Sequence, residues 1–302
     1  MTSPRRRRAA CSPFPCMVRD FIPPIVERLT RRRTQSVFKE YQNYRAALAE
    51  SDTYEASDII DVVAKKTEIF RGQLANGRVP TIARRQTIQN LFVISYIRPD
   101  RPLDVLEFGG ACGASYFEVT HLLPDRIRSW HVVETSAMTA RAREVFQDSR
   151  LSFHDNLADA TAEMKTRDLI IAQGVMQYTP EPLDGVDELL ALNFDHVYVT
   201  RTAVLSGAVA ADDSIIFNSE SRLAQHGPGV MPSNFTDRRI TTPCTLVTGA
   251  SLAARAGDGY RQAFWFDEDE PQPLLTKTRT VEMKSVGFLL QRVTGQEQPH
   301  NR

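Results

Sequence analysis

Cysteine is scarce in this chain: 302 residues contain 4, Cys11, Cys16, Cys112 and Cys244. No two form a Cys-x-x-Cys pair and no histidine stands near them at zinc-ligand spacing, which argues against a disulfide framework and a metal site alike. An uncharged apolar run of the ~18 residues that span a bilayer is missing. So is the apolar stretch of a secretory signal, because Arg5–Arg8 leads into Pro13, Pro15, Arg19 and Asp20. The chain therefore reads as cytoplasmic, with free thiols. Net charge is absent too, 37 Lys and Arg against 37 Asp and Glu, but it is unevenly spread. Residues 1–40 hold ten basic and three acidic residues, a net of +7, leaving −7 for residues 41–302. A body of that sign offers no basic face for nucleic acid, so no nucleic-acid partner is expected.

What is present is a globular composition, 42% hydrophobic and 25% charged, without internal repeats. Three regions are expected: a basic, partly disordered arm over 1–35, a helical region over 36–101, and a Rossmann-like domain over 102–295. The arm carries the apolar segment Phe21-Ile22-Pro23-Pro24-Ile25-Val26. Two readings of residues 1–35 stay open, a solvated arm whose Pro-Pro segment packs on the body and a peripheral contact with an anionic membrane. Apolar spacing predicts helices over 36–50, 55–75 and 81–97, and Arg98-Pro99-Asp100-Arg101-Pro102 breaks the pattern. Beyond it, short apolar runs alternate with helical segments. Strands are expected at Leu103–Phe108, Trp130–Glu134, Leu151–His154, Leu169–Ala172 and Val197–Thr200, with helices over 113–123 and 136–147. A helix over 243–256 and strands at Tyr260–Phe266 and Val286–Val293 complete the pattern. This alternation predicts an α/β fold, a mostly parallel sheet of about seven strands.

The chemistry is concentrated in Leu103-Asp104-Val105-Leu106-Glu107-Phe108-Gly109-Gly110-Ala111-Cys112-Gly113. A strand runs into an acid, then a loop of small residues, then a helix, which lets backbone approach a ligand at the sheet's carboxyl edge. A P-loop is excluded, since the chain has no Gly-Lys pair. A dinucleotide Gly-x-Gly-x-x-Gly fits poorly: counted from Gly109, Ala111 and Ala114 occupy the second and third positions. S-adenosylmethionine fits better. It has no phosphate, and its ammonium and sulfonium favour the acid Glu107. Glu134 ends the next strand 27 residues later, where a carboxylate can accept both ribose hydroxyls.

These residues resemble class I S-adenosylmethionine-dependent methyltransferases over Leu103 to about Thr202. Phe108-Gly109-Gly110-x-x-Gly113-x-Ser115 is similar, more narrowly, to methyltransferases associated with bacterial surface-polysaccharide gene clusters. Asp168–Tyr178 resembles that group's fourth strand and following loop, Thr200-Arg201-Thr202 the residues after its fifth, and Phe21-Ile-Pro-Pro-Ile its start. Ala111 departs from the pattern where a glycine is usual. The resemblance implies a Rossmann-like class I methyltransferase sheet with an N-terminal helical extension. It also implies cofactor contacts from Glu107, Gly109, Gly110, Ala111, Gly113, Glu134, Asp155, Asn156, Gln173 and Gly174. The acceptor would be a small polar or glycan-linked molecule methylated on oxygen or nitrogen, with Tyr178 and Arg201 as the candidate catalytic residues. His154, His196 and His226 read as lone histidines. The segment 206–242, with Gly227-Pro228-Gly229, has the composition of a loop that closes over an acceptor. Two alternatives stand beside this reading, a nucleotide-sugar oxidoreductase on a related fold and a non-catalytic module of a glycan assembly complex. Neither the oligomeric state nor a general base is legible.

Overall fold

The apolar runs of the sequence pack on both sides, as buried parallel strands must. The computed structural model describes residues 36–78, 85–98, 100–257 and 259–293. It contains β1 (Val37–Phe38), α1 (Tyr44–Leu48), α2 (Ser57–Ala75), α3 (Arg85–Tyr96), β2 (Leu103–Phe108), α4 (Ala114–Leu122), β3 (Ile127–Val133), α5 (Ser136–Phe146), β4 (Leu151–His154) and α6 (Leu157–Glu163). Then come β5 (Leu169–Gln173), α7 (Pro182–Ala191), β6 (His196–Ser206), β7 (Ser214–Arg222), β8 (Arg239–Val247), α8 (Gly249–Ala253), β9 (Tyr260–Asp267), β10 (Gln272–Thr276) and β11 (Thr280–Arg292).

The main sheet runs β1-β10-β11-β6-β5-β2-β3-β4, with β9 also on β11. From β4 to β6 every pairing is parallel, and β11 lies antiparallel to β6. This is the expected Rossmann-like α/β architecture, with nine strands in the sheet among the described residues rather than about seven. The increase has a simple cause. β6 and β11 run past the parallel core, so β11 pairs with β9 along its C-terminal half and with β10 along its N-terminal half.

Side chains alternate between two cores with the period of a strand. Leu103, Val105, Trp130, Val132, Leu169 and Ile171 face one core, which α2, α3, α4 and α5 cover. Leu106, Val133, Ile170, Ala172, Val197 and Val199 face the other, covered by α6, α7 and α8. Of the apolar positions read there from the sequence, α2 buries Ile59, Ile60, Val63 and Phe70, while Ile69 faces solvent and Leu74 is buried in addition.

Three expectations need correction. Residues 36–50 are not one helix: β1 pairs with β10, and α1 begins only at Tyr44, where the Asn43 side chain accepts from the Ala46 N–H. Residues 243–256 divide between the end of β8 and the short α8. The segment 206–242 is not a free loop but most of an antiparallel hairpin, β7 with β8, in register from Ser214↔Val247 to Arg222↔Arg239. Its connection is clamped to α2, because Lys66 Nζ donates to the carbonyls of Ala224 (2.9 Å) and His226 (2.6 Å). The arm 1–35, the start of the helix expected over 81–97, Pro99 and residues 294–295 lie outside the described residues. Among the described residues, no helix is long and apolar enough to cross a membrane.

At the sheet's amino edge a charged network holds β2, β3 and β5 together. Asp104 Oδ1 and Oδ2 accept from Arg128 Nε (2.8 Å) and Nη2 (2.6 Å), and Asp168 accepts from Arg101 and from the Asp104 N–H. Burial pushes the Asp104 carboxyl up, but hydrogen bonds from Arg128, Ser129 and Thr166 outweigh it and bring the pKa down to about 2. A depressed carboxyl stabilises the fold fully above its unfolded pKa and loses that contribution as pH falls. The ionised group should therefore contribute roughly 2 kcal/mol at neutral pH. Asp104→Asn is expected to remove it. In urea denaturation, the stability difference between the two proteins should be full above about pH 4 and shrink towards about pH 2.

Candidate functional site

The carboxyl edge of the parallel strands gathers most of the residues read as a site. After β2 the chain turns through Gly109 at φ +74° and Ala111 at φ +49° before Gly113 opens α4. Gly109 has no room for a side chain: a Cβ there would lie 2.6 Å from Val175 Cγ2. A Cβ on Gly110 would lie 2.7 Å from the carboxylate of Glu107. Small residues are needed here because the loop lies directly on β2's own acid and on the turn after β5. Ala111, the departure from an all-glycine pattern, takes the left-handed conformation that glycine adopts at no cost.

Glu107 lies beneath this loop, not at an open edge. Trp130 Nε1–H donates to its Oε2 at 2.9 Å. Burial pushes its carboxyl up to about 7, against the opposing effect of hydrogen bonds from Ser115 and Trp130; nearby Glu134 adds to the rise. Glu134 closes the other side of the loop. Its Oε1 accepts from the Ala111 N–H (3.1 Å) and its Oε2 from the Thr135 N–H (2.9 Å). Burial raises its pKa while these two N–H groups lower it. The two acids read at consecutive strand ends thus bracket one loop, and Glu134 is fixed by backbone donors with lone pairs to spare.

Gln173 ends β5, next in the sheet, and Gly174 follows it. Gln173 Oε1 accepts from Asn90 Nδ2 of α3 at 3.4 Å, and Gly174 takes φ +67° with the Arg201 guanidinium packed over it. Asn90 Oδ1 and Gln177 Oε1 are buried and accept no hydrogen bond within the protein. Two orphaned amide oxygens, one on α3 and one in the turn after β5, suit a cationic donor such as an ammonium. Asp155 and Asn156 follow β4, whose last residue His154 accepts from the Glu134 N–H at 3.1 Å. Both are exposed, and the Asn156 side chain is occupied in capping α6, accepting from the Asp159 N–H at 2.9 Å.

Of the two acceptor candidates, Arg201 packs on Gly174 and Tyr178 lies in the turn after β5. Arg201 is exposed and sits in β6 at φ +55°, a conformation held by Glu268, whose Oε1 accepts from the Arg201 N–H (3.2 Å) and from the Thr200 hydroxyl. Tyr178 is half-buried, edge-on to Tyr54 at 5.6 Å between ring centroids, and its carbonyl accepts from the Tyr44 hydroxyl at 2.5 Å. Burial raises the Tyr178 hydroxyl pKa, so at neutral pH the group is a donor and not a base. His226 packs edge-on to Tyr54 at 5.7 Å, which places the hairpin connection in the same wall.

Sequence reasoning missed Asn90, Gln177, Tyr54 and Glu268. Glu268 reaches Thr200 across 68 positions and Asn90 reaches Gln173 across 83, so no local pattern marks them. His154 was misread as isolated: its Nε2 lies 3.1 Å from Nδ1 of His131 on the neighbouring strand. His196 is buried in β6.

No protein-family model matches the chain, and no curated protein matches it in sequence. Among solved structures it is similar to the N-terminal domain of EvdMO1, crystallised in the presence of SAH and D-fucose, at 13% identity and a TM-score of 0.41, over 70% of this chain and 86% of that one. It is similar to a S-adenosylmethionine-dependent methyltransferase from Clostridium acetobutylicum at 11% identity and a TM-score of 0.42, over 75% and 98%. A third is the [4+2]-cyclase SpnF, at 12% identity and a TM-score of 0.43, over 86% and 100%.

Proposed function

We propose that the chain is a S-adenosylmethionine-dependent methyltransferase acting on a small polar or glycan-related acceptor. One observation carries this reading: Glu134 at the end of β3 is hydrogen-bonded to Ala111 in the loop after β2, so the two features read from the sequence form one cradle. On this reading Glu134 accepts the ribose hydroxyls, and Asn90 Oδ1 and Gln177 Oε1 accept from the ammonium. Glu107 supplies negative charge from beneath the loop. When bound, the cofactor supplies a methyl group on a cationic sulfonium that becomes a neutral thioether on transfer. The chain's own part is to hold the acceptor in line and to keep water out. Tyr178 is suited to donate a hydrogen bond to an acceptor oxygen. Arg201 offers a planar fork to a phosphate or carboxylate, which suits a nucleotide-linked or phosphorylated sugar.

A thermal-shift screen tests the reading. S-adenosylmethionine at ~100 times its dissociation constant should add about 2.7 kcal/mol of stability, and NAD should add nothing. Stabilisation by NAD alone would favour the oxidoreductase. Arg201→Ala and Tyr178→Phe should keep cofactor affinity and lower turnover at least tenfold, roughly 1.4 kcal/mol of transition-state stabilisation. Normal turnover in both would move the acceptor site elsewhere.

A further inference from the structure

Two histidines and a glutamate meet on the sheet face that α6 covers. His131 of β3 and His154 of β4 are both buried, with rings stacked at 5.3 Å between centroids. His131 Nδ1 and His154 Nε2 are 3.1 Å apart, and Glu163 Oε2 at the end of α6 lies 3.9 Å from His154 Nε2. One ligand atom from each of the three falls within 4.8 Å of the others. Two nitrogens bound tetrahedrally at about 2.0–2.1 Å from a zinc ion stand roughly 3.3 Å apart, so the histidine pair already has the required separation. Glu163, with a side chain 62% exposed, has the rotamer freedom to move the remaining distance.

The hydrogen bonds around His131 decide which nitrogen is free. Ser129 Oγ–H donates to Asp104 Oδ1 at 2.8 Å, so its oxygen is left to accept from His131 Nε2 at 3.1 Å. The proton of His131 is therefore on Nε2, and the lone pair of Nδ1 faces both His154 Nε2 and Ser152 Oγ, each at 3.1 Å. This is the outer-shell arrangement of metal-binding histidines, in which the other ring nitrogen donates outward and fixes the tautomer.

We propose that His131 Nδ1, His154 Nε2 and the Glu163 carboxylate form a binding site for a divalent transition-metal ion of the zinc type, completed by water. The ion takes the place of the proton shared between the two rings and ties β3, β4 and α6 together. Imidazole–carboxylate sets select zinc, cobalt, nickel or copper over magnesium and calcium. The site is independent of the methyltransferase reading, and its test needs neither cofactor nor acceptor.

The test is equilibrium dialysis of the full chain, stripped with chelator, against Zn²⁺ and then Co²⁺. One ion per chain is expected, with the visible absorption of tetrahedral or five-coordinate Co²⁺ and no uptake of Mg²⁺. His154→Gln and Glu163→Gln should each weaken binding at least tenfold and change or abolish the cobalt spectrum. Glu163 is exposed, so Glu163→Gln leaves the fold intact and the test stands even if His154→Gln fails to fold. Absence of stoichiometric uptake, or uptake and a spectrum unchanged in Glu163→Gln, would overturn the proposal. The first outcome would leave the pair as an ordinary hydrogen bond between two rings, and the second would assign the ion to other ligands.

Discussion

Glu107→Gln is expected to make the ligand-free protein more stable at pH 8, by about 3 kcal/mol, while weakening S-adenosylmethionine binding at least tenfold. The stability effect follows from the raised carboxyl of Glu107, at about 7 in the folded protein against an ordinary value of 4.5. A group raised in this way contributes fully below its unfolded pKa, and the contribution is lost as pH climbs through the folded value. Each unit corresponds to about 1.4 kcal/mol. Wild type and variant should therefore be equally stable near pH 4.5 and diverge up to about pH 8, where the native carboxylate is ionised without solvent. Glutamine keeps an oxygen to accept from Trp130 Nε1, so the hydrogen bond there survives the change. Urea denaturation at about pH 4.5 and 8 measures the divergence. Parallel pH profiles would show that Glu107 is not held ionised at a cost. A residue that destabilises its own fold at neutral pH is what a functional position looks like when its charge is needed.

Gly109→Ala is expected to destabilise the protein by about 3 kcal/mol. Two effects add. The φ of +74° is unfavourable for any residue with a Cβ, at roughly 1–2 kcal/mol. The new methyl would also lie 2.6 and 2.8 Å from the Val175 side chain, and overpacking of that kind costs roughly 1–3 kcal/mol. Gly229→Ala is the internal control, because that glycine has φ +72° and nothing within 4 Å of the added Cβ. It should lose about 1 kcal/mol. The difference between the two midpoints in denaturant isolates the clash, and Val175→Ala should recover part of it in the Gly109→Ala background. Equal losses at the two positions would mean that Val175 gives way freely. From sequence alone, a side chain at Gly109 is expected to occupy ligand space and leave the fold intact. The structure shows that it meets the turn after β5 first.

The parallel core was legible because each strand is buried on both faces and therefore reads as an apolar run: Leu103–Phe108 and Leu151–His154 stand where expected, and the strand expected at Leu169–Ala172 runs one residue further, to Gln173. The hairpin was not legible for the opposite reason. β7 carries Asn218, Ser219, Glu220 and Ser221 in succession and is only partly buried, so its pattern is that of a loop until β8 pairs with it. Residues 36–50 show the same dependence on distant chain, since β1 exists only through its pairing with β10 more than 230 positions later. In the site, Glu107 and Glu134 were readable because the acids end consecutive strands. Glu268 and Asn90 were not, because the fold brings their partners to them from 68 and 83 positions away. The His131–His154 contact needed the register of β3 on β4, which no spacing within one strand supplies.

The most direct test of the account is calorimetric titration of the full chain with S-adenosylmethionine, set against Glu134→Ala. The cradle predicts one molecule bound per chain and a loss of roughly 1.5–3 kcal/mol in the variant, since charge-assisted hydrogen bonds to the ribose hydroxyls disappear. Unchanged affinity in Glu134→Ala, or no binding by the wild type, would contradict it.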